Sequence, residues 1–182
     1  MVSKQLLIRV DASREIGTGH VMRCLALANE AKRRGWECIF VLRDPKDEIV
    51  KLIVSFDHRV KKLISFVDRE KISCNVIAHG HWLPVSQIQD ANETINLVHD
   101  LKPDWIIVDH YALDTTWLSI VKGSTARILV IDDLGDRNLI CDVLLDQNLG
   151  ASAEKYDGKL PINCRLLLGP DFALLRREFR EW

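Results

Sequence analysis

The sequence predicts an α/β fold, a Rossmann-like, doubly wound and mostly parallel sheet, and three observations carry that expectation. Short runs that are apolar at consecutive positions recur along the 182 residues, helical patterns lie between them, and the connections are short. Such runs suit strands buried on both faces of a parallel sheet. Their alternation with helices closes through right-handed crossovers.

Taken in order, the strands are "LLIRV" at 6–10, "ECIFVL" at 37–42, "DWIIVDH" at 104–110, "ARILVIDD" at 126–133 and "DVLLDQN" at 142–148. The first helix should run over 19–34, burying Val21, Met22, Leu25, Ala28 and Ala31, with Glu30, Lys32 and Arg33 outside and Gly35 as its stop. A second is expected over 44–56, where Pro45 suits a first turn and Asp47 and Glu48 suit the positive helix end. A third covers 83–102, and a shorter one covers 114–123 with Asp114 as N-cap. Between 60 and 81 the pattern is ambiguous: "RVKKLISF" and "CNVIAHG" each fit a strand or a bridge into a helix. The last stretch, "CRLLLGPDFALLRREFREW", reads as a strand, a Gly-Pro turn and a helix whose Phe172, Leu174, Leu175, Phe179 and Trp182 need a surface to cover.

With 47% hydrophobic residues, a chain of this length builds one well-cored domain, so 1–182 is read as a single domain. Lys and Arg number 25 against 26 for Asp and Glu, and no basic stripe or recognition-helix pattern stands out, so neither nucleic acid nor an anionic membrane is an expected partner. Five scattered cysteines without a C-x-x-C pair read as free thiols in a reducing, cytoplasmic setting. No apolar run reaches the roughly 18 residues of a membrane span.

In open α/β sheets ligands bind outside the carboxyl ends of the strands, so the loops that follow strands are the informative ones. Three stand out: "DASREIGTGH" at 11–20, "DHYALD" at 109–114 and "DDLGDRN" at 132–138. In the first, Gly17 and Gly19 flank Thr18 at a helix start, where backbone amides and the helix dipole can meet an anion or a developing oxyanion. The third glycine of a dinucleotide fingerprint is missing, as are the Lys and Ser/Thr of a P-loop. Asp11, Ser13, Arg14 and Glu15 make the loop longer than a strand-to-helix turn needs.

His20 closes that loop in the first helical turn. The positive backbone end there favours the neutral imidazole, the form that accepts a proton, so the position suits a general base. The competing reading is a tight turn with a histidine cap. In the second loop Asp109 could orient an imidazole and the Tyr111 hydroxyl could hold a substrate or a water; equally, Asp109 could cap a turn and Tyr111 pack. Asp132 and Asp133 lack the alternation of a calcium loop. His79 and His81 of "AHGHW" lack a third zinc ligand nearby, so a solvated loop is expected there. Neither a metal nor another cofactor is expected.

Together, "RVDASREIGTGHVMRCLALA", "IIVDHYALD", "ILVIDDLGDRNLICDVLLDQN" and "LLLGPDFALLRREF", in this order, resemble the N-terminal half of the UDP-sugar hydrolases of pseudaminic acid biosynthesis. They are similar also to the related spore-coat polysaccharide proteins. The resemblance implies the N-terminal half of a GT-B-like two-domain fold, with the site in a cleft between two Rossmann-like halves. It implies metal-free cleavage of UDP-2,4-diacetamido-2,4,6-trideoxy-β-L-altropyranose to UDP and the free sugar, with His20 as the catalytic residue and Tyr111 at the site. Asp11, Ser13, Arg14, Gly17, Gly19 and Asp109 would shape the sugar side, and Arg176 would approach from the domain boundary. The family continues into a second, nucleotide-binding domain. This chain stops at Trp182, so weak or absent turnover is expected of it alone. The alternatives are a glycosyltransferase-like acceptor domain and a non-catalytic sugar-binding module that needs a partner domain in cis or in trans.

Overall fold

The computed structural model describes residues 4–65 and 77–179. Its elements are β1 (Gln5–Val10), α1 (Gly19–Arg33), β2 (Glu37–Arg43), α2 (Asp47–Ser55), β3 (Arg59–Leu63), α3 (Gln87–Leu101), β4 (Trp105–Asp109), α4 (Thr115–Lys122), β5 (Arg127–Ile131), β6 (Val143–Asp146) and β7 (Arg165–Leu168). The strands form one sheet in the order β3-β2-β1-β4-β5-β6-β7, every neighbouring pair parallel. The chain is thus an α/β, Rossmann-like domain. Strand order reverses between β1 and β4, and the crevice above that switch point is where such sheets bind ligands.

Strand alternation sorts the core into two layers. On β1, Leu7 faces the layer built with Val98 of α3 and Trp117, Leu118 and Val121 of α4. Leu6, Ile8 and Val10 face Val21, Leu25 and Ala28 of α1 and Ile49 and Ile53 of α2. On β4, Ile106 and Val108 face the first layer and Ile107 the second. Each such aliphatic side chain removed from water contributes about 1.5–3 kcal/mol.

The element boundaries depart from the sequence reading at four places. Helix α1 buries Cys24, and leaves Met22 and Ala31 only half-buried. Helix α2 begins after Pro45, because Lys46 keeps an extended backbone (ψ 149°) as N-cap. Helix α3 starts at Gln87 rather than at 83: Leu83 is extended (ψ 114°), as a residue before proline prefers, and the Ser86 hydroxyl accepts from Gln89 N at 3.1 Å to open the helix. Past Gly169 (φ 94°) the expected C-terminal helix is replaced by two short 3-10 turns, Pro170–Phe172 and Arg177–Phe179. Ala173 is extended, and Leu174 N donates to the Gln147 side chain at 2.9 Å, holding the chain off a helical path.

Asp114 caps α4 as read from the sequence, accepting from Thr116 N at 2.7 Å. The ambiguous "RVKKLISF" supplies β3. Of "CNVIAHG", residues 74–76 lie outside the described residues, as does Trp182, and the remainder leads through a turn into the short 3-10 turn Gly80–Trp82 rather than a strand. Among the described residues no helix is long and apolar enough to cross a membrane.

Candidate active site

The period of two along β4 carries past its end and separates two neighbours. Asp109 falls on the α1 side of the sheet and His110 on the α3 side. Two charged clusters form there, one on each face, and they are built differently.

On the α3 face Arg9, with no exposed surface, forks to Asp11 (2.6 and 2.9 Å) and to Asp90 (3.0 and 2.8 Å). Asp11 also accepts from Arg43 N at 2.7 Å and from His110 Nε2 at 3.0 Å. Asp90 also accepts from Arg43 Nε at 2.7 Å and from the Trp117 indole at 2.7 Å. Ala112 N donates to His110 Nδ1 at 3.1 Å, so Nδ1 is the acceptor and Nε2 carries the proton toward Asp11. Burial alone would raise the Asp11 and Asp90 carboxyls; the Arg9 guanidinium between them overrides it and holds both below the usual carboxylate range.

On the α1 face His20 Nδ1 lies 2.6 Å from Asp109 Oδ1. Arg23, one turn further along the helix, forks to the same carboxylate at 2.6 Å through both Nε and Nη2. Arg23 Nη2 also sits 3.2 Å from His20 Nδ1, a contact that would need Nδ1 to accept, but the Asp109 carboxylate is nearer, at 2.6 Å, and can only accept. The carboxylate therefore decides the tautomer: Nδ1 carries the proton and Nε2 is left as the acceptor. Nε2 has no hydrogen-bond partner among the described residues. Burial would raise the Asp109 carboxyl, yet hydrogen bonds from Arg23 and His20 keep it below its ordinary value, so it remains an anion. The Tyr111 ring meets His20 edge-on at 4.7 Å. Its hydroxyl donates a short bond to Asp133 and accepts from Arg23 Nη2 at 3.3 Å; burial first, and then the Asp133 bond, raises its pKa.

The third strand-end loop is tied down from within. Asp132 accepts from Arg137 at 2.7 Å and from Gly135 N at 2.8 Å. Lys155 Nζ donates to Asp133 O (2.5 Å) and Asp146 (2.8 Å), and the Tyr156 hydroxyl lies 2.9 Å from Asp132 O and 3.0 Å from Asp146. Gly135 (φ 62°) leaves no room for a side chain, since a Cβ there would meet Lys155 Cγ at 2.6 Å. This loop presents Asp133 to Tyr111.

Beside the His20 cluster opens a cavity of about 520 Å³, lined by Ser13, Arg14, Glu15, Lys46, His81 and Trp82 among others. His20 is not one of its lining residues. Trp82 joins the two: it lines the cavity, its ring lies 6.0 Å from that of His20, and it stacks on Tyr111 at 5.6 Å.

The structure therefore brings His20, Asp109 and Tyr111 together. Ser13 and Arg14 line the adjoining cavity, although the Ser13 hydroxyl also accepts from Glu15 N and Ile16 N to build the turn. Gly17 closes that turn with φ 75° and its N–H on Ser13 O, while Gly19 has open space around it. Asp11 borders the cavity too, but each of its oxygens already accepts twice, which places it to hold the loop. Arg176 is not gathered with the rest; it lies over the Phe179 ring at 4.9 Å. Among the described residues no group of three or more His, Cys, Asp or Glu side chains converges as a metal cage would.

The chain is similar to a UDP-sugar hydrolase. Over 178 residues, 97% of its length, it is 29% identical to the UDP-2,4-diacetamido-2,4,6-trideoxy-beta-L-altropyranose hydrolase of Campylobacter jejuni, and it covers 54% of that protein. It is also 22% identical, over 96% of its length, to an uncharacterized protein of Methanocaldococcus jannaschii, of which it covers 31%. The chain thus spans about half, or less, of the length of these curated relatives. No family model matches it. Among solved structures, MurG of Acinetobacter baumannii superposes with a TM-score of 0.57 at 11% identity, covering 90% of this chain and 44% of MurG, a likeness of fold.

Sequence reasoning missed Arg23, Asp133 and Trp82. Arg23 had a signal: it lies three residues after His20 on a helix, hence on the same face. Trp82 had none, because only the fold carries "AHGHW" over the end of β4.

Proposed function

We propose that this chain is the base-bearing half of a UDP-sugar hydrolase, acting on a UDP-linked diacetamido-trideoxy sugar of the kind named for the Campylobacter jejuni relative. The observation that carries the reading is His20: one ring nitrogen is held by a buried aspartate, the other has no partner among the described residues, and the ring neighbours Trp82, which lines the adjoining cavity.

In this reading Nε2 takes a proton from water as the water oxygen attacks the anomeric carbon. The bond from that carbon to the UDP oxygen breaks, UDP leaves with the electron pair, and the configuration inverts. Asp109 stabilises the imidazolium that forms, as the buried aspartate of a Ser-His-Asp triad does. General-base assistance of this type contributes about 10²–10⁴-fold. Tyr111, fixed by Asp133 and Arg23, positions the water or the sugar. Trp82 offers an aromatic wall to the sugar ring, and Ser13 and Arg14 its polar contacts. No step needs a metal. The nucleotide belongs to a second half, in cis or in trans.

The test is hydrolysis in ¹⁸O-labelled water by this chain combined with its nucleotide-binding half. The reading expects the label at C1 of an inverted free sugar and none in UDP. Label in UDP, or sugar passed to an added acceptor alcohol with little free sugar, contradicts it. The second result would favour the transferase alternative.

A further inference from the structure

At the strand starts, on the edge of the sheet opposite the His20 cluster, Cys141 lies two residues before β6 and Cys164 directly before β7. Their sulfurs are 3.5 Å apart although 23 positions separate them in sequence. The two strand starts are locked side by side, with Arg165 N donating to Asp142 O at 2.9 Å and Ile128 N donating to the Asp142 carboxylate at 2.7 Å. Cys141 is buried and Cys164 partly exposed. The other described cysteines stand elsewhere: the Cys24 thiol contacts Asp109 and the Cys38 thiol the Ala28 carbonyl, on the opposite face of the sheet.

We propose that Cys141 and Cys164 are a thiol–disulfide site, oxidised to an intrachain disulfide by a low-molecular-weight disulfide such as glutathione disulfide. The partly exposed Cys164 is the sulfur that reacts first. Its thiolate is favoured by the hydrogen bond from the Cys141 thiol, which sets Cys164 below and Cys141 above the ordinary thiol range. The Cys164 thiolate attacks one sulfur of the oxidant, the S–S bond breaks, and one glutathione leaves as a thiol after taking up a proton. Cys141 then gives its proton to solvent and attacks the Cys164 sulfur of the mixed disulfide, releasing the second glutathione. Two protein thiols are oxidised and one glutathione disulfide is reduced. The closed loop carries Lys155 and Tyr156, which hold the Asp132–Asp133 segment in place.

The site does not depend on the hydrolase reading, and its test makes no use of activity. The chain is treated with glutathione disulfide, its remaining thiols are alkylated after denaturation, and the peptides are mapped. The expected product has lost two alkylatable thiols, is lighter by two hydrogens, and joins the Cys141 and Cys164 peptides. Cys141→Ala is expected to stop instead at a persisting glutathione adduct on Cys164, and Cys164→Ser to leave Cys141 reduced. Wild-type chain that keeps glutathione on Cys164 while Cys141 stays alkylatable overturns the proposal. So does a chain in which both thiols stay reduced while another cysteine is consumed.

Discussion

His110 and His20 each hold a buried aspartate at the same carboxyl edge of the sheet, on opposite faces, and they differ in what the second ring nitrogen does. In His110 Nδ1 accepts from Ala112 N and Nε2 donates to Asp11, so the ring is used up. In His20 Nδ1 donates to Asp109, and Nε2 is free of partners among the described residues. The same residue types, an aspartate, a histidine and an arginine, thus make a closed structural knot on one face and an open site on the other. Chemistry needs an unfinished hydrogen-bond inventory, because a lone pair already spent on the protein cannot take a proton from a substrate.

The comparison breaks most sharply at Asp90. Asp90→Asn removes the carboxylate that Arg9 and Arg43 share, leaving Arg9 with Asp11 and Arg43 with Glu93, and urea unfolding should show a loss of about 3 kcal/mol. Turnover per folded molecule, in the presence of the nucleotide half, should barely change. His20→Ala is the mirror image: turnover falls about 10³-fold, equivalent to about 4 kcal/mol, while the fold and its unfolding midpoint are nearly kept. His110→Ala should behave like Asp90→Asn and not like His20→Ala.

Acid should open the closed face. Asp11 and Asp90 sit below their ordinary value of 3.8 in the folded chain, so the stability they contribute is complete above that pH and is lost as pH falls through their folded values. The melting temperature at pH 3 should lie about 5–10 °C below that at pH 6, measured by circular dichroism. The smallest effect belongs to Tyr111→Phe, which removes the hydroxyl held between Asp133 and Arg23 and should lower turnover about tenfold, the scale of a single hydrogen bond.

Much of this was legible in the residues. Apolar runs and interleaved helices announced the parallel sheet, and "GTGH" and "DHY" at strand ends marked His20, Asp109 and Tyr111 before any contact was known. The closed knot was half-written as well: Arg9 interrupts an otherwise apolar strand, and Asp11 follows it at the spacing that shares a strand face. The partner that completes it, Asp90, stands 81 positions from Arg9 on α3, and no local pattern links the two. Pairings of that range come from topology. For the same reason Trp82 read as loop, although the fold stacks it on Tyr111. The C-terminal stretch carried a helical pattern that tertiary contacts overrode, through the Gln147 side chain on Leu174 N.

His20 keeps Nε2 as an acceptor without a partner among the described residues while Asp109 holds its Nδ1 proton, and a long-range ¹H–¹⁵N correlation spectrum of the histidine rings tests this directly. Near neutral pH the account predicts opposite tautomers for the two rings, Nδ1–H for His20 and Nε2–H for His110, with Asp109→Asn perturbing His20 alone. An Nε2–H tautomer for His20, or a His20 resonance indifferent to Asp109→Asn, would contradict it.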